Sequence, residues 1–243
     1  MQTRMSLRPW ILALFACACS LAGPGTSRQA SGQVPAPELP AALQGSVGKE
    51  FITLFNGRNL AGWTAVLADE KTKAEDVWSV ADGVLICKGE PRGYLRTERD
   101  DFENYLLTLE WRFPAGSKGG NSGVLVHTTT PMALGIWPKS MEAQLNHLHA
   151  GDIWVIGTTC QIDNADKRVL GRRHLNLTDD SEKPIGEWNK YAIHCQADKL
   201  SILVNGVLVN HVSECSVRKG AVALQSEGAE VHFRDIRLWP LKP

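Results

Sequence analysis

The chain has 243 residues, with 26 Lys plus Arg balanced by 26 Asp plus Glu, and a pI near 7.0. No net field draws such a chain to nucleic acid or to an anionic membrane. A hydrophobic content of 43% suits a packed core and excludes a disordered chain, and the length fits one large all-β domain.

In chain order, Arg4 and Arg8 precede the apolar run from Trp10 to Ala18, which small residues follow. This is the layout of a secretory signal over residues 1–22, too short for a membrane span. Leu14-Phe15-Ala16-Cys17 partly matches a lipoprotein cleavage box, with Phe15 the poor fit. The expectation is an exported protein: periplasmic, secreted, or an outer-membrane lipoprotein held only by an N-terminal lipid. Residues 23–48 are rich in Pro, Gly, Ser, Ala and Gln and read as a flexible tether. The folded domain is expected over 49–243.

From Phe51 onward, short alternating segments are cut by Gly, Asn, Asp and Pro, the all-β pattern. The pattern predicts strands at 78–80, 84–88, 105–113, 123–127, 141–146, 153–157, 188–195, 221–225 and 231–238. In 105–113, Tyr105, Leu107, Leu109, Trp111 and Phe113 share one face. Residues 200–204 and 207–212 flank Asn205-Gly206, the strongest two-residue hairpin signal. No stretch shows extended helical spacing. So many strands imply two packed antiparallel sheets, a jelly-roll sandwich. The eight Trp residues suit sandwich core and also sugar-stacking platforms.

Candidate chemistry centres on 141–146. As a strand it sends Met141, Ala143 and Leu145 to the core and Glu142, Gln144 and Asn146 to the opposite face. Such a row of donors and acceptors can read sugar hydroxyls. The Gly-rich turn holding Asn121 and Ser122 lacks P-loop spacing. His127 ends the next strand. His147, His149 and Asp152 offer donors for a divalent metal at an unspecific spacing, so a metal stays open as the one cofactor. No Ser sits in a G-x-S-x-G elbow. An ordinary glycosidase needs two carboxyl groups. This strand carries only Glu142, so a second would have to come from Glu227 or Asp152. Of the later cysteines, Cys87, Cys160, Cys195 and Cys215, the expected disulfide is Cys195 with Cys215, which flank one hairpin.

The order of several short motifs resembles the 3-keto-disaccharide hydrolase domain family. They run from Leu54-Phe55-Asn56-Gly57 and Gly62-Trp63 through Tyr94-Leu95-Arg96-Thr97, Asn121-Ser122-Gly123 and Glu142-x-Gln144. Ala150-Gly151-Asp152, Gly186-Glu187-Trp188-Asn189, Leu224-Gln225-Ser226-Glu227-Gly228 and Phe233-Arg234-Asp235-Ile236 complete the series. The resemblance implies a concanavalin A-like fold and a glycoside or oligosaccharide partner whose sugar carries a 3-ketone. It implies Glu142 as general base, Gln144 and Asn121 as donors, and His127, His147 or Glu227 as acid. Arg96, Trp154, Asp152 and Gln225 would hold the sugar. Many members carry Arg at the place of His127 and His at the place of Glu227, so a carbohydrate-binding module without turnover is the alternative.

Overall fold

A computed structural model describes residues 39–178 and 180–242. Sixteen strands form two antiparallel sheets of eight, the jelly-roll sandwich expected. The first sheet contains β1 (Ile52–Thr53), β3 (Trp78–Ala81), β4 (Val84–Cys87), β6 (Tyr105–Arg112), β12 (Asn189–Gln196), β13 (Lys199–Val204), β14 (Val207–Val212) and β16 (Val231–Pro240). The second contains β2 (Trp63–Leu67), β5 (Gly93–Thr97), β7 (Gly123–Thr128), β8 (Ser140–Gln144), β9 (Ile153–Ile156), β10 (Val169–Leu170), β11 (Arg173–His174) and β15 (Ala221–Ser226). Its spatial order is β10-β11-β9-β8-β7-β15-β5-β2, which puts β7 between β8 and β15. Only three four-residue helices occur among the described residues, α1 (Ala41–Gln44), α2 (Ala74–Val77) and α3 (Ala165–Arg168), and none is long and apolar enough to cross a membrane.

Alternation places the core. Tyr105, Leu107, Leu109 and Trp111 of β6 meet Val124, Val126, Met141, Ala143 and Ile153 of the second sheet in one continuous apolar cluster. Asn205 and Gly206 both adopt positive φ, at 51° and 87°, as a tight hairpin turn between β13 and β14 requires. Two polar ties cross between the sheets. The Tyr191 hydroxyl on β12 donates to the Gln144 carbonyl at the end of β8. Asn210 on β14 is fully buried; its Nδ2 donates to the carbonyls of Gly151 at 3.0 Å and His174 at 3.2 Å, and its Oδ1 accepts from Arg168 at 2.6 Å. That network fixes the segment from α3 to β11 against β9.

Three expectations differ from the structure. Residues 39–48, read as the end of a tether, are folded. Leu39 and Val47 are buried with Leu106, Leu203 and Trp239 on the outer face of the first sheet, and Ser46 hydrogen-bonds His194 at 3.1 Å. The expected signal segment and the rest of the tether, residues 1–38, lie outside the described residues. Cys195 and Cys215 are free thiols, as are Cys87 and Cys160. Cys215 lies beyond β14, its N–H bonded to the Asp198 carbonyl in the turn between β12 and β13 at 2.9 Å, and the two thiols are not bridged. Finally, the strand expected over 123–127 is kinked. A bulge against β15 shifts the register between Ala221 and Ala223, and His127 sits there at φ 53°.

Starting the chain at Lys49 instead of Leu39 should expose Trp239 and lower stability by about 3 kcal/mol or more. Urea denaturation and a red shift of tryptophan fluorescence check this.

Candidate active site

The second sheet has an outer face, turned away from the core, on which the candidate groups meet. Directly paired residues share a face, so register defines its rows. One row runs Trp154, Glu142, Leu125, Ala223, Arg96. The row beside it holds Gln144 and Gly123, with Gln225 and Tyr94 paired across β15 and β5. As expected from alternation, Met141, Ala143 and Leu145 enter the core and Glu142 and Gln144 take the other face. That face is not solvated here: Glu142 and Gln144 are each only 5% exposed.

Glycine at position 123 makes the centre of the site. A Cβ there would lie 2.3 Å from the Gln225 side-chain oxygen and 2.8 Å from Glu142 Oε1. With no side chain on β7 at this point, the carboxyl of β8 and the amide of β15 close over the strand between them. Burial pushes the Glu142 carboxyl up to about 8, and the charge of Glu227 adds to it. Hydrogen bonding with Gln225 and the charge of Arg172 oppose the rise only in part. Glu227 follows β15 two residues beyond Gln225 and is half-buried. Its own carboxyl is raised by burial, against the pull of Arg92. Of the two carboxyls that could join Glu142 from other strands, Glu227 is the one whose charge acts on it to raise its pKa.

Three buried polar atoms on this side lack a partner, Asn121 Oδ1, Trp154 Nε1 and Gln225 Oε1, while others, among them Trp78 Nε1 and the Tyr105 hydroxyl, lie in the core. Buried polar groups are ordinarily satisfied, and several left open together mark a place where a polar ligand completes them. Trp154 stands beside Glu142, and the Arg172 guanidinium covers its ring at 5.2 Å from the centroid. The Gln144 side-chain oxygen accepts from the backbone N–H groups of Leu145 at 2.9 Å and Asn146 at 3.1 Å, which leaves its NH2 as the donor it can offer.

The remaining candidates fall elsewhere. Asp152 pairs with Gln144 across the strands, but its carboxylate is taken by Arg173 at 2.6 Å and the Asn176 N–H at 2.7 Å. It holds the segment that carries Arg172. Arg96 shares the row of Glu142 but lies three strands away, roughly 14 Å at ordinary strand spacing, and its guanidinium is engaged by the Thr97 carbonyl at 3.2 Å and Asp100 at 3.6 Å. His127, expected as an acid, is not on this face. The bulge turns its ring into the core, edge-on to Tyr105 of the opposite sheet at 5.5 Å, and burial lowers its pKa to about 4. His147, the other expected acid, packs on Phe113 and pairs with Glu182 at 3.3 Å; Glu182 also accepts from the Ala150 N–H. That pairing locks a loop and does not serve Glu142. Among the described residues no three His, Cys, Asp or Glu side chains converge to hold a metal ion, so the metal set suggested by His147, His149 and Asp152 is not assembled. Sequence reasoning missed Arg172, whose only signal is the Arg172-Arg173 pair in a loop, and Tyr94, quoted in a motif without a role.

Residues 50–239 match the profile of a domain described as 3-keto-alpha-glucoside-1,2-lyase-like. No curated protein matches the chain. Among solved structures, a candidate glycosyl hydrolase from Parabacteroides distasonis superposes with a TM-score of 0.57 at 19% identity, covering 79% of this chain and 94% of that one. A second from the same organism gives 0.55 at 22%, covering 79% and 100%. The kappa-carrageenase of Pseudoalteromonas carrageenovora, solved with an oligotetrasaccharide, gives 0.53 at 11%, covering 85% and 100%. At these identities the likeness is one of fold.

Two measurements test the site. Gly123→Ala should cost about 1–3 kcal/mol of stability and move the Glu142 titration down from about 8, as the displaced carboxyl meets water; NMR titration of the glutamate carboxyls, read against Glu142→Gln, reports both. Glu142 binds its proton more tightly folded than unfolded, so its contribution is full below the ordinary value of 4.5 and is lost as pH rises towards 8. Glu142→Gln should therefore raise Tm relative to wild type by an amount that grows from pH 5 to pH 8.5.

Proposed function

The chain belongs to the 3-keto-alpha-glucoside-1,2-lyase-like domain family, and from that premise we propose that it cleaves 3-keto-glycosides by elimination followed by hydration. The observation that carries the reading is the Glu142 carboxyl, buried among unpartnered amide groups and raised to about 8. A charge-bearing group held dry with no ion pair costs stability, and sites where chemistry is done are where such groups concentrate.

A ketone at carbon 3 acidifies the hydrogen on carbon 2. Ionised Glu142 takes that proton, and the electron pair of the C–H bond moves to the carbonyl oxygen as an enolate. The enolate re-forms the ketone as the bond from carbon 1 to the glycosidic oxygen breaks. The leaving oxygen takes a proton, and the sugar becomes an enone. Water then adds to carbon 1 while carbon 2 regains a proton, so the sum is glycoside plus water to 3-keto sugar plus alcohol. A base whose pKa lies near the working pH serves such a step best. Glu227, with its carboxyl raised by burial, is the acid for the leaving oxygen. The Gln144 NH2 group and Asn121 are the donors for the enolate and the ring hydroxyls, and Trp154 and Gln225 hold the sugar. The protein acts outside the cytoplasm in this reading, on the strength of Arg4, Arg8 and the apolar run that follows them.

The test is turnover of 3-keto-trehalose by wild type, Glu142→Gln and Glu227→Gln. Wild-type kcat/KM should rise with pH through a midpoint near 8, since the ionised form of Glu142 is the active one. Glu142→Gln should lose at least about 100-fold in kcat, as expected for removal of a general base. Unchanged turnover in that variant removes Glu142 from the role, and glycan binding without turnover across keto-sugars assigns a recognition module instead.

A further inference from the structure

Two thiols stand opposite one another where the loop after β9 meets the segment ahead of β15. Gln161 and Ser213 exchange both backbone hydrogen bonds, at 2.8 and 3.0 Å. Two residues back, the Ser216 N–H donates to the Thr159 carbonyl at 3.0 Å. The Ser216 hydroxyl accepts from the Thr159 N–H at 3.1 Å and bonds the Thr158 hydroxyl at 2.7 Å. The antiparallel pairing is therefore held on both sides of Cys160. Between those bonds one segment carries Cys160 alone. The other carries Glu214 and Cys215, a bulge in which Glu214 takes a positive φ of 50°. Exposure alternates in step on the two segments. Thr159 and Gln161 are exposed and Cys160 between them turns inward; Glu214 and Ser216 are exposed and Cys215 between them is buried. Both thiols pack on the main core cluster. Residues opposed in an antiparallel pair have Cα atoms about 4.5 to 5.5 Å apart, inside the roughly 4.4 to 6.8 Å that a disulfide spans.

We propose that Cys160 and Cys215 are a dithiol that a disulfide oxidant converts to a cross-strand disulfide. Cys195 also adjoins Cys215, but it is 1% exposed on β12, whereas Cys160 is half-buried. An oxidant arriving from solvent therefore meets Cys160 first. The Cys160 thiol gives its proton to water, and the thiolate attacks one sulfur of the oxidant and expels a thiolate. The Cys215 thiol then loses its proton and attacks the Cys160 sulfur of the mixed disulfide, expelling the second thiolate. The two released thiolates take up two protons. The sum is two protein thiols and one disulfide to one protein disulfide and two thiols. Burial holds the Cys160 thiol up at about 11. Burial raises Cys215 to about 12, and the charge of Cys160 adds to it. The exchange is accordingly slow at neutral pH and quickens as pH rises. The bridge fastens the loop after β9, the strand that carries Trp154, to the approach to β15, the strand that carries Gln225.

The test starts from the full chain, reduced and freed of reductant. It is held with oxidised glutathione at pH 8.5, its remaining thiols are alkylated, and its peptides are mapped by mass spectrometry without reduction. The expected product is a cross-link of Cys160 with Cys215, two hydrogens lighter than the two thiols. Closing so long a loop should raise Tm by about 5 °C or more, and dithiothreitol should reverse the rise. Cys160→Ser, a change at a half-buried position, should stay folded and lose both the cross-link and the shift. A cross-link of Cys215 with Cys195 instead overturns the proposal. So does a glutathione adduct that stays on Cys160 without a bridge, the absence of any bridge, or an equal Tm rise in Cys160→Ser.

Discussion

A missing side chain governs this site. Gly123 lies on the strand between β8 and β15, and the absence of a Cβ lets Glu142 and Gln225 fold over the same backbone atom. Everything distinctive about the carboxyl follows from that closeness. The amide and the strand exclude water from it, and exclusion of water raises its pKa. A larger residue at 123 would force the two side chains apart and hydrate both. The catalytic reading is thus a packing statement before it is an electrostatic one.

The support beneath this arrangement comes from the other sheet. Tyr191 reaches through the sandwich to the carbonyl of Gln144, and so fixes the end of the strand that carries Glu142. Asn210 does the same for the segment bearing Arg172 and Arg173, with Arg168 and two carbonyls sharing its amide. Asp152 then clamps Arg173. These buried polar ties are satisfied in full, in contrast to the open atoms on the outer face.

Much of this could be read from the sequence, because the strands obey period two. Alternation in 105–113 and 141–146 placed both faces correctly, and Asn205-Gly206 located a hairpin. The failures have physical causes. A single inserted residue opposite β15 turned His127 into the core, and alternation has no means of announcing a bulge. Cys195 and Cys215 flank a hairpin in sequence, yet both thiols stay free, since flanking a hairpin does not set the geometry that a disulfide needs. His147 follows the end of β8, where the parity argument stops, and Glu182 from a distant loop claims it. The segment 39–48 looked like a tether by composition, yet Leu39, Leu43 and Val47 recur every four residues, a signal that the Pro and Ala content obscured. Gln225 entered only through a motif and Glu227 only as one of two carboxyls that might serve, since no local pattern tells that β15 lies two strands from β8.

The folded segment at 39–48 has a geometric consequence. It lies along the outer face of the first sheet, against Leu106, Leu203 and Trp239, whereas Glu142 opens on the outer face of the second. The entire thickness of the sandwich separates them. The chain enters the described fold at Leu39 on the face of the sandwich opposite the one that carries Glu142.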